Sequence, residues 1–211
     1  MCGIVGFYSK LGDTSDILNE MLETMFHRGP DSFGTYISGH FSGGMRRLSI
    51  NGVESGEQPL FNQDKTLVMF YNGEIYNYHD LRCELEEKGV HFRTNSDGEV
   101  IVHLFSLIGA RAFEKLDGMF AVSIWSEREK KLTLARDIPG EKPLYFARLN
   151  DGGLMYSSEL SAFAKQRSIN LRLNMQAIWD FPTFLWVPEP NTIYENVFSL
   201  DRSSFLEFDG T

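Results

Sequence analysis

The chain has 211 residues, 42% of them hydrophobic, and its 29 acidic against 20 basic side chains leave a formal charge of -9. A chain of this length can bury most of the surface that its unfolded form exposes, so we expect one compact domain. The acidic balance and the scattered basic residues argue against nucleic acid as a partner. No apolar run reaches the ~18 residues of a membrane span, and no basic segment opens a signal peptide. We therefore expect a cytoplasmic protein with no membrane partner, and the two cysteines, which can form at most one disulfide, fit a reducing compartment.

The order of the predicted elements indicates the fold class. Short apolar runs rich in β-branched and aromatic residues predict strands, and apolar residues at helical spacing predict helices. The predicted strands are 3–8, 34–38, 41–50, 66–72, 119–125, 131–136, 143–149 and 154–158, and the predicted helices are 14–26, 77–88 and one that begins near Asp97 and includes 100–108. Ser96 and Glu99 have the spacing of a capping box for the third helix. Polar turns at 127–130 and 150–153 join two successive hairpins, so the pairing should be antiparallel and the domain α+β.

Several kinds of catalytic site lack their signatures in this sequence. The five histidines never pair at the spacing expected of zinc ligands, and there is no CxxC, so no metal site is expected. A GxxxxGK[ST] phosphate loop and a GxSxG nucleophile elbow are both missing from the sequence.

Cys2 suggests a different chemistry. Methionine before a small residue is normally trimmed, and removal of Met1 would leave a thiol and a free α-amine on the same residue. That amine has a pKa of roughly 7.7 to 8.0, so at neutral pH part of it can accept the thiol proton. The nucleophile would then carry its own base, although a cysteine at the second position is weak evidence alone.

A set of motifs in register with Cys2 strengthens this interpretation. The motifs are MCGIVGF (1–7), HRGPDSFG (27–34), RLSI (47–50), EQPLFN (57–62), YNGEIYN (71–77), NSD (95–97) and RDIPGEKPLY (136–145). In order and spacing they resemble the N-terminal glutaminase domain of the asparagine synthetase group of class II glutamine amidotransferases. The resemblance covers nearly the whole chain. It implies the N-terminal-nucleophile hydrolase fold, an αββα sandwich of two antiparallel sheets.

The resemblance also implies roles for the catalytic residues. Cys2 matches the nucleophile that forms a γ-glutamyl thioester, which water then hydrolyses. Asn72 and Gly73 match the side-chain amide and the backbone N–H that hold the oxyanion, a role that needs fixed donors. The alternative is that Asn-Gly after an apolar strand forms a hairpin turn. The helical pattern that follows Tyr76 weakens this alternative.

The resemblance also implies which residues bind the two charged groups of the substrate. Arg47 resembles the anchor for the α-carboxylate, which a guanidinium can meet with two parallel hydrogen bonds. If 41–50 is a strand, Arg46 must face the opposite side. Asp97 matches the residue that receives the α-ammonium, helped by Glu74. Asp97 also suits the first turn of a helix, where the macrodipole favours acidic residues.

Further positions belong to the matched segments. The continuing stretch Leu48, Ser49, Ile50 and Asn51 is implied to line the glutamine site. Arg28 resembles part of a loop that closes over glutamine. One departure is Met45, where many relatives carry a histidine, and this puts the local packing in question.

The resemblance implies partners as well as residues. The substrate would be L-glutamine, and the ammonia would supply an ATP-dependent amidation, such as asparagine synthesis from aspartate, in a synthetase domain or subunit. This domain would need no cofactor, with ATP and Mg²⁺ required only by the synthetase domain, whose SGGxDS motif the sequence lacks. We assign 1–200 to the glutaminase domain and 201–211 to the start of a connection to the synthetase domain.

Two alternative functions stay open. The chain could be an amidase that acts on another amide, or an interaction domain that has lost catalysis.

The segment 178–198 is rich in aromatic residues and holds two of the three tryptophans. Its prolines argue against regular structure through them. We expect part of it to be an exposed apolar patch that meets another domain or a second copy in a homodimer. Packing of the whole segment on its own domain is the alternative.

Overall fold

The computed structural model describes residues 2–10, 15–48 and 57–210. In chain order the elements are β1 (Gly3–Tyr8), α1 (Ser15–Thr24), β2 (Ser32–Ser38), β3 (Phe41–Arg47), β4 (Leu60–Phe61), β5 (Leu67–Ile75), α2 (Tyr78–Glu87), α3 (Glu99–Ile108), β6 (Gly118–Ser126), β7 (Lys131–Arg136), β8 (Tyr145–Arg148), β9 (Leu154–Ser157), α4 (Met175–Phe184), β10 (Phe198–Ser199) and β11 (Phe205–Phe208). Short 3-10 helices lie at Phe26–Arg28, Gly109–Lys115 and Leu160–Lys165.

Two antiparallel sheets form the centre of the molecule. The first sheet has the order β10-β8-β9-β1-β3-β2, and the second has the order β11-β7-β6-β5-β4. Alternation along each strand turns one set of apolar side chains inward, and these pack into a cluster between the sheets that includes Ile4, Met45 and Phe70. Met45 is thus part of the apolar packing between the sheets, two residues before Arg47.

Helices cover the two outer faces. The apolar stripe of α1, which includes Leu18 and Leu22, packs on Val5 and Phe7 of β1. Apolar residues of α2 and α3 pack on the outer face of the second sheet. The layers are therefore α, β, β and α, as predicted. Both predicted hairpins are antiparallel, although β6–β7 lies in the second sheet and β8–β9 in the first.

The predicted capping box at α3 is wrong. The Glu99 carboxylate does not reach back to the Ser96 N–H but accepts hydrogen bonds from the N–H groups of Arg93 and Thr94. Gly98 is the N-cap residue. The spacing of a capping box is present, but a longer loop supplies better placed donors for the carboxylate.

The expectation of no regular structure through the prolines of 178–198 is wrong at Pro182, which lies inside α4. Pro182 costs the helix one hydrogen bond, the one that an N–H at this position would donate to the carbonyl of Ile178. Both ends are capped: the Asn174 side chain accepts from Ala177 N–H, and Leu185, in the left-handed region, donates its N–H to Phe181. Residues 175–184 therefore form a helix capped at both ends rather than an irregular tail.

The predicted exposed apolar patch is confirmed. Trp179 is 78% exposed and Trp186 is 56% exposed. Beside them lies a groove of about 320 Å³, lined by Ala177, Ile178, Phe181, Val187 and Ile193. We call α4 together with 185–187 the apolar ridge.

The segment 201–211, assigned above to a connection, contains β11, which pairs with β7 as the edge strand of the second sheet. Where a connection to another domain begins stays a prediction. No helix in the described part of the chain is long and apolar enough to cross a membrane.

Candidate active site

Cys2 lies directly before β1, at the mouth between the sheets. Its side chain is half-buried against the inter-sheet cluster, and its Sγ lies 3.7 Å from the carbonyl oxygen of Leu48, to which the thiol donates. Since Gly3 is opposite Arg46 in the ladder of β1 and β3, the thiol sits beside the end of β3. The remaining implied lining residues Ser49, Ile50 and Asn51 lie outside the described residues.

The two adjacent arginines at the end of β3 face opposite sides, as predicted. The guanidinium of Arg46 donates to the Leu22 carbonyl at 3.3 Å and to the Glu23 carboxylate, so it lies under α1. It also stacks over the rings of Phe26 and Phe33, 5.2 Å from each centroid. Alternation turns Arg47, which is also buried, towards the space between the sheets.

Asn72 lies inside β5, so the alternative of a hairpin turn at Asn-Gly is wrong. The ladder with β6 continues through this pair, with Asn72 opposite Ala121. The side chain of Asn72 is on the face of β5 that carries Phe70, which packs between the sheets. Its Nδ2 is buried and has no hydrogen-bond partner among the described residues. An unsatisfied buried donor costs about 1–3 kcal/mol, which is consistent with a group kept for a ligand.

The N–H of Gly73 points to the open edge of β5. At this edge the Gln58 amide bonds both backbone groups of Tyr71, at 2.7 and 2.9 Å. Two residues after Gly73, the N–H of Ile75 donates to Asp97 Oδ2 at 2.8 Å. Alternate N–H groups of an antiparallel strand point the same way, so the Gly73 N–H lies between these two bonds.

The neighbouring strand β6, on the other side of β5, explains why residue 73 is a glycine. Phe120, the partner of Gly73, donates its N–H to the Asp137 carboxylate and accepts from the Asp137 N–H. A Cβ on Gly73 would lie 2.1 Å from the Met119 carbonyl oxygen, so no side chain fits. The close approach of β6 therefore fixes the backbone of Gly73.

Asp97 is held by β5 rather than by the first turn of α3, which begins at Glu99. Its Oδ2 accepts both the Tyr71 hydroxyl and the Ile75 N–H, each at 2.8 Å. Burial raises the pKa of Tyr71 well above its usual range, and Asp97, Glu74 and Cys2 raise it further. Tyr71 thus stays protonated and can donate its hydroxyl to Asp97.

Arg28 supports the backbone of Cys2. Its Nε donates to the Cys2 carbonyl at 3.0 Å, and its Nη1 bonds Glu159 at 3.1 Å. Burial raises the pKa of Glu159, but hydrogen bonds from His27 and Arg28 outweigh this and lower it. The implied role of Arg28 in a loop that closes over glutamine stays a prediction.

Sequence reasoning missed three residues of this site: Gln58, Tyr71 and Glu159. Gln58 and Tyr71 stand inside quoted motifs, but nothing in a motif tells which groups a side chain bonds. Glu159 lies outside every motif, and only the fold brings it to Arg28.

Comparison with known proteins agrees with the geometry. A family model described as glutamine amidotransferase domain matches residues 1–211. The chain is 40% identical over 209 residues to asparagine synthetase (glutamine-hydrolysing) 1 of Bacillus subtilis, covering 97% of this chain and 33% of the relative. It is 33% identical to the second such enzyme of that organism, covering 100% of this chain and 29% of the relative. The chain thus spans about a third of these relatives' length.

A solved structure gives the fold. The glutamine phosphoribosylpyrophosphate amidotransferase of B. subtilis, complexed with ADP and GMP, superimposes with a TM-score of 0.66 and 24% identity, over 77% of this chain and 43% of the other. The sandwich of two antiparallel sheets is therefore the N-terminal-nucleophile amidotransferase fold. This chain belongs to the glutamine amidotransferase domain family.

Proposed function

We propose that this domain hydrolyses L-glutamine to glutamate and ammonia through a γ-glutamyl thioester on Cys2. One observation carries the proposal: Asn72 keeps a buried amide donor without a partner, on the face of β5 that looks between the sheets. Cys2 packs against the same inter-sheet cluster. A nucleophile and an unused donor that both border the space between the sheets suit an acyl transfer, in which an oxyanion develops beside the attacked carbon.

The reaction needs two displacements at the amide carbon. The α-amine of Cys2, free once Met1 is removed, takes the thiol proton, and sulfur attacks the carbon. The oxyanion then accepts from Asn72 Nδ2 and from the Gly73 N–H. The C–N bond breaks as the amine returns the proton to nitrogen, and ammonia leaves. Water, deprotonated by the same amine, attacks the thioester, and glutamate leaves with the thiol restored.

The α-amino acid end of the substrate would be held by residues of opposite charge. Arg47 would bind the α-carboxylate through two parallel hydrogen bonds, and Asp97 with Glu74 would bind the α-ammonium. Two observations support these roles. Alternation along β3 turns Arg47 towards the space between the sheets. Hydrogen bonds from Tyr71 and Ile75 hold Oδ2 of Asp97 in place. Leu48 and the segment 49–51 would line the remaining wall. A paired cation and anion recognise a free α-amino acid, which argues against an amidase for another amide.

The ammonia would supply an ATP-dependent amidation in a synthetase module, such as asparagine formation from aspartate. The names of the curated relatives, glutamine-hydrolysing asparagine synthetases, support this destination. ATP and Mg²⁺ would be needed only in that module, either in the same chain or in a separate subunit. The apolar ridge fits a surface that such a module covers.

A glutaminase assay tests the proposal. We expect trimmed wild-type protein to release glutamate and ammonia from L-glutamine, and Cys2→Ala to release neither. Cys83→Ala, which removes the exposed thiol of α2, is the matched control and should keep full activity. Asn72→Ala should lower kcat by roughly 10²–10³, the usual effect of losing one oxyanion donor. Turnover by Cys2→Ala at the wild-type rate would refute the proposal.

A further inference from the structure

The carboxylate of Glu99 is the centre of a buried hydrogen-bond network behind the active site. Glu99 is 2% exposed and accepts from the Arg93 N–H at 2.8 Å and from the Thr94 N–H at 2.7 Å. It also accepts from the Thr94 hydroxyl at 2.5 Å and faces His103 Nε2 at 3.2 Å. A buried carboxylate with this many donors is held firmly, because each charge-assisted bond restricts its position.

This network extends to the residue that carries the substrate anchor. The Thr94 oxygen that donates to Glu99 accepts from the Ser96 N–H at 3.1 Å. Ser96 then accepts from two neighbours, with its Oγ bonding the Gly98 N–H at 3.3 Å and its carbonyl bonding the Glu99 N–H at 3.3 Å. Asp97 lies between these two bonded residues, so its backbone is fixed from both sides.

A second constraint acts on the same turn. A Cβ on Gly98 would lie 2.5 Å from the Tyr71 ring, so the turn presses against the side chain that donates to Asp97. Glu99 fixes the turn from the α3 side, while Tyr71 and Ile75 fix the carboxylate from the β5 side. The position of Asp97 therefore depends on both elements.

We infer that Glu99 is a positioning residue for recognition of the substrate α-ammonium, acting on Asp97 through Thr94 and Ser96. The inference rests on the proposed function, because it assumes that Asp97 receives this ammonium. The Glu99 side chain bonds Arg93, Thr94 and His103, so it would act on the substrate only through Asp97. Its loss should weaken selection for the α-amino group more than it slows the chemical step.

The test compares two substrates that differ only in the α-amino group, L-glutamine and glutaramate. Thr94→Val removes the hydroxyl that links Glu99 to Ser96 and keeps the shape of the side chain, whereas Thr94→Ser keeps the hydroxyl and serves as the matched control. We expect Thr94→Val to lose at least tenfold of the wild-type preference for glutamine in kcat/KM, mainly through KM. Thr94→Ser should retain the preference, and Glu99→Gln and Asp97→Asn should change it in the same direction as Thr94→Val.

The outcomes separate the two proposals. Circular dichroism and the melting temperature establish which variants fold, and if Glu99→Gln does not, the Thr94 pair decides. An active wild type whose preference is unchanged by Thr94→Val would overturn the role of Glu99 alone. A folded, trimmed wild type without turnover of glutamine would overturn the proposed function and this inference with it.

Discussion

The hydroxyl of Tyr71 donates to Asp97 at 2.8 Å, which joins the middle of β5 to the loop before α3. Asn72 and Gly73 follow Tyr71 directly, so the same strand carries the proposed oxyanion donors and the support of the proposed ammonium anchor. A displacement of β5 would therefore affect substrate binding and catalysis together. The hydroxyl of this buried tyrosine supplies a hydrogen bond that an apolar residue could not.

Tyr71→Phe should raise the KM for glutamine with little change in kcat. The variant keeps the ring and removes one hydrogen bond to a charged acceptor, which is worth about 1.5–3 kcal/mol, or roughly ten- to hundredfold in affinity. Steady-state kinetics measure the effect. Tyr78→Phe, a partly buried residue that packs on the outer face of the second sheet, is the control and should leave KM unchanged. Equal KM values for the two variants would show that Asp97 does not depend on Tyr71.

Arg47→Lys should also raise KM by roughly ten- to hundredfold, because lysine cannot reproduce two parallel bonds to a carboxylate. Arg46→Lys should leave KM unchanged and lower the melting temperature, since it loses contacts with Leu22, Phe26 and Phe33 on the α1 side. Kinetics and thermal unfolding of both variants separate the two effects. A larger KM change in Arg46→Lys would mean that the other arginine is the anchor.

The opposite orientations of Arg46 and Arg47 along β3 illustrate what the sequence could predict. Alternation along a strand is a local property, so it was enough to place Arg46 and Arg47 on opposite sides. The order of motifs was likewise enough for the family and the fold. The contacts of Gln58 with Tyr71 and of Glu159 with Arg28 join residues far apart in the chain, and no local pattern encodes them.

The errors concern short-range hydrogen bonds that a motif does not specify. Glu99 had the spacing of a capping box, but the N–H groups of Arg93 and Thr94 are better placed donors for its carboxylate. Pro182 was expected to interrupt regular structure, yet capping at both ends of α4 keeps the helix intact. In each case hydrogen bonds to residues three to six positions away outweighed a local preference of about 1 to 3 kcal/mol.

The stability of the domain should depend on Glu99 at low pH. Burial raises the pKa of Glu99, but hydrogen bonds from His103, Arg93 and Thr94 outweigh it and lower the pKa from 4.5 to about 2. A carboxylate with a lowered pKa stabilises the folded state above pH 4.5, and this contribution, up to about 3 kcal/mol, is lost as the pH falls towards 2. Urea unfolding of wild type and Glu99→Gln between pH 7 and pH 3 measures it. The difference in unfolding free energy should shrink with falling pH, and a constant difference would contradict the assignment.

The apolar ridge should cause self-association at high concentration when no partner domain covers it. Trp179→Ser with Trp186→Ser should keep the protein monomeric in sedimentation, whereas Ile138→Ser, at a residue 69% exposed outside the ridge, should not. At low concentration, where the protein is monomeric, acrylamide should quench both ridge indoles, since only Trp125 among the tryptophans is buried. If the wild-type protein is monomeric and acrylamide does not quench Trp179 and Trp186, the ridge is covered within the domain.

The most direct test of the central claim is intact mass spectrometry after an acid quench of the protein with L-glutamine. Trimmed protein should gain the mass of one γ-glutamyl group, and fragmentation should locate it on Cys2. Protein that retains Met1 should gain no such mass and release no ammonia, because its amide cannot accept the thiol proton. Equal turnover by the two forms, or turnover with the adduct on another residue, would contradict the account.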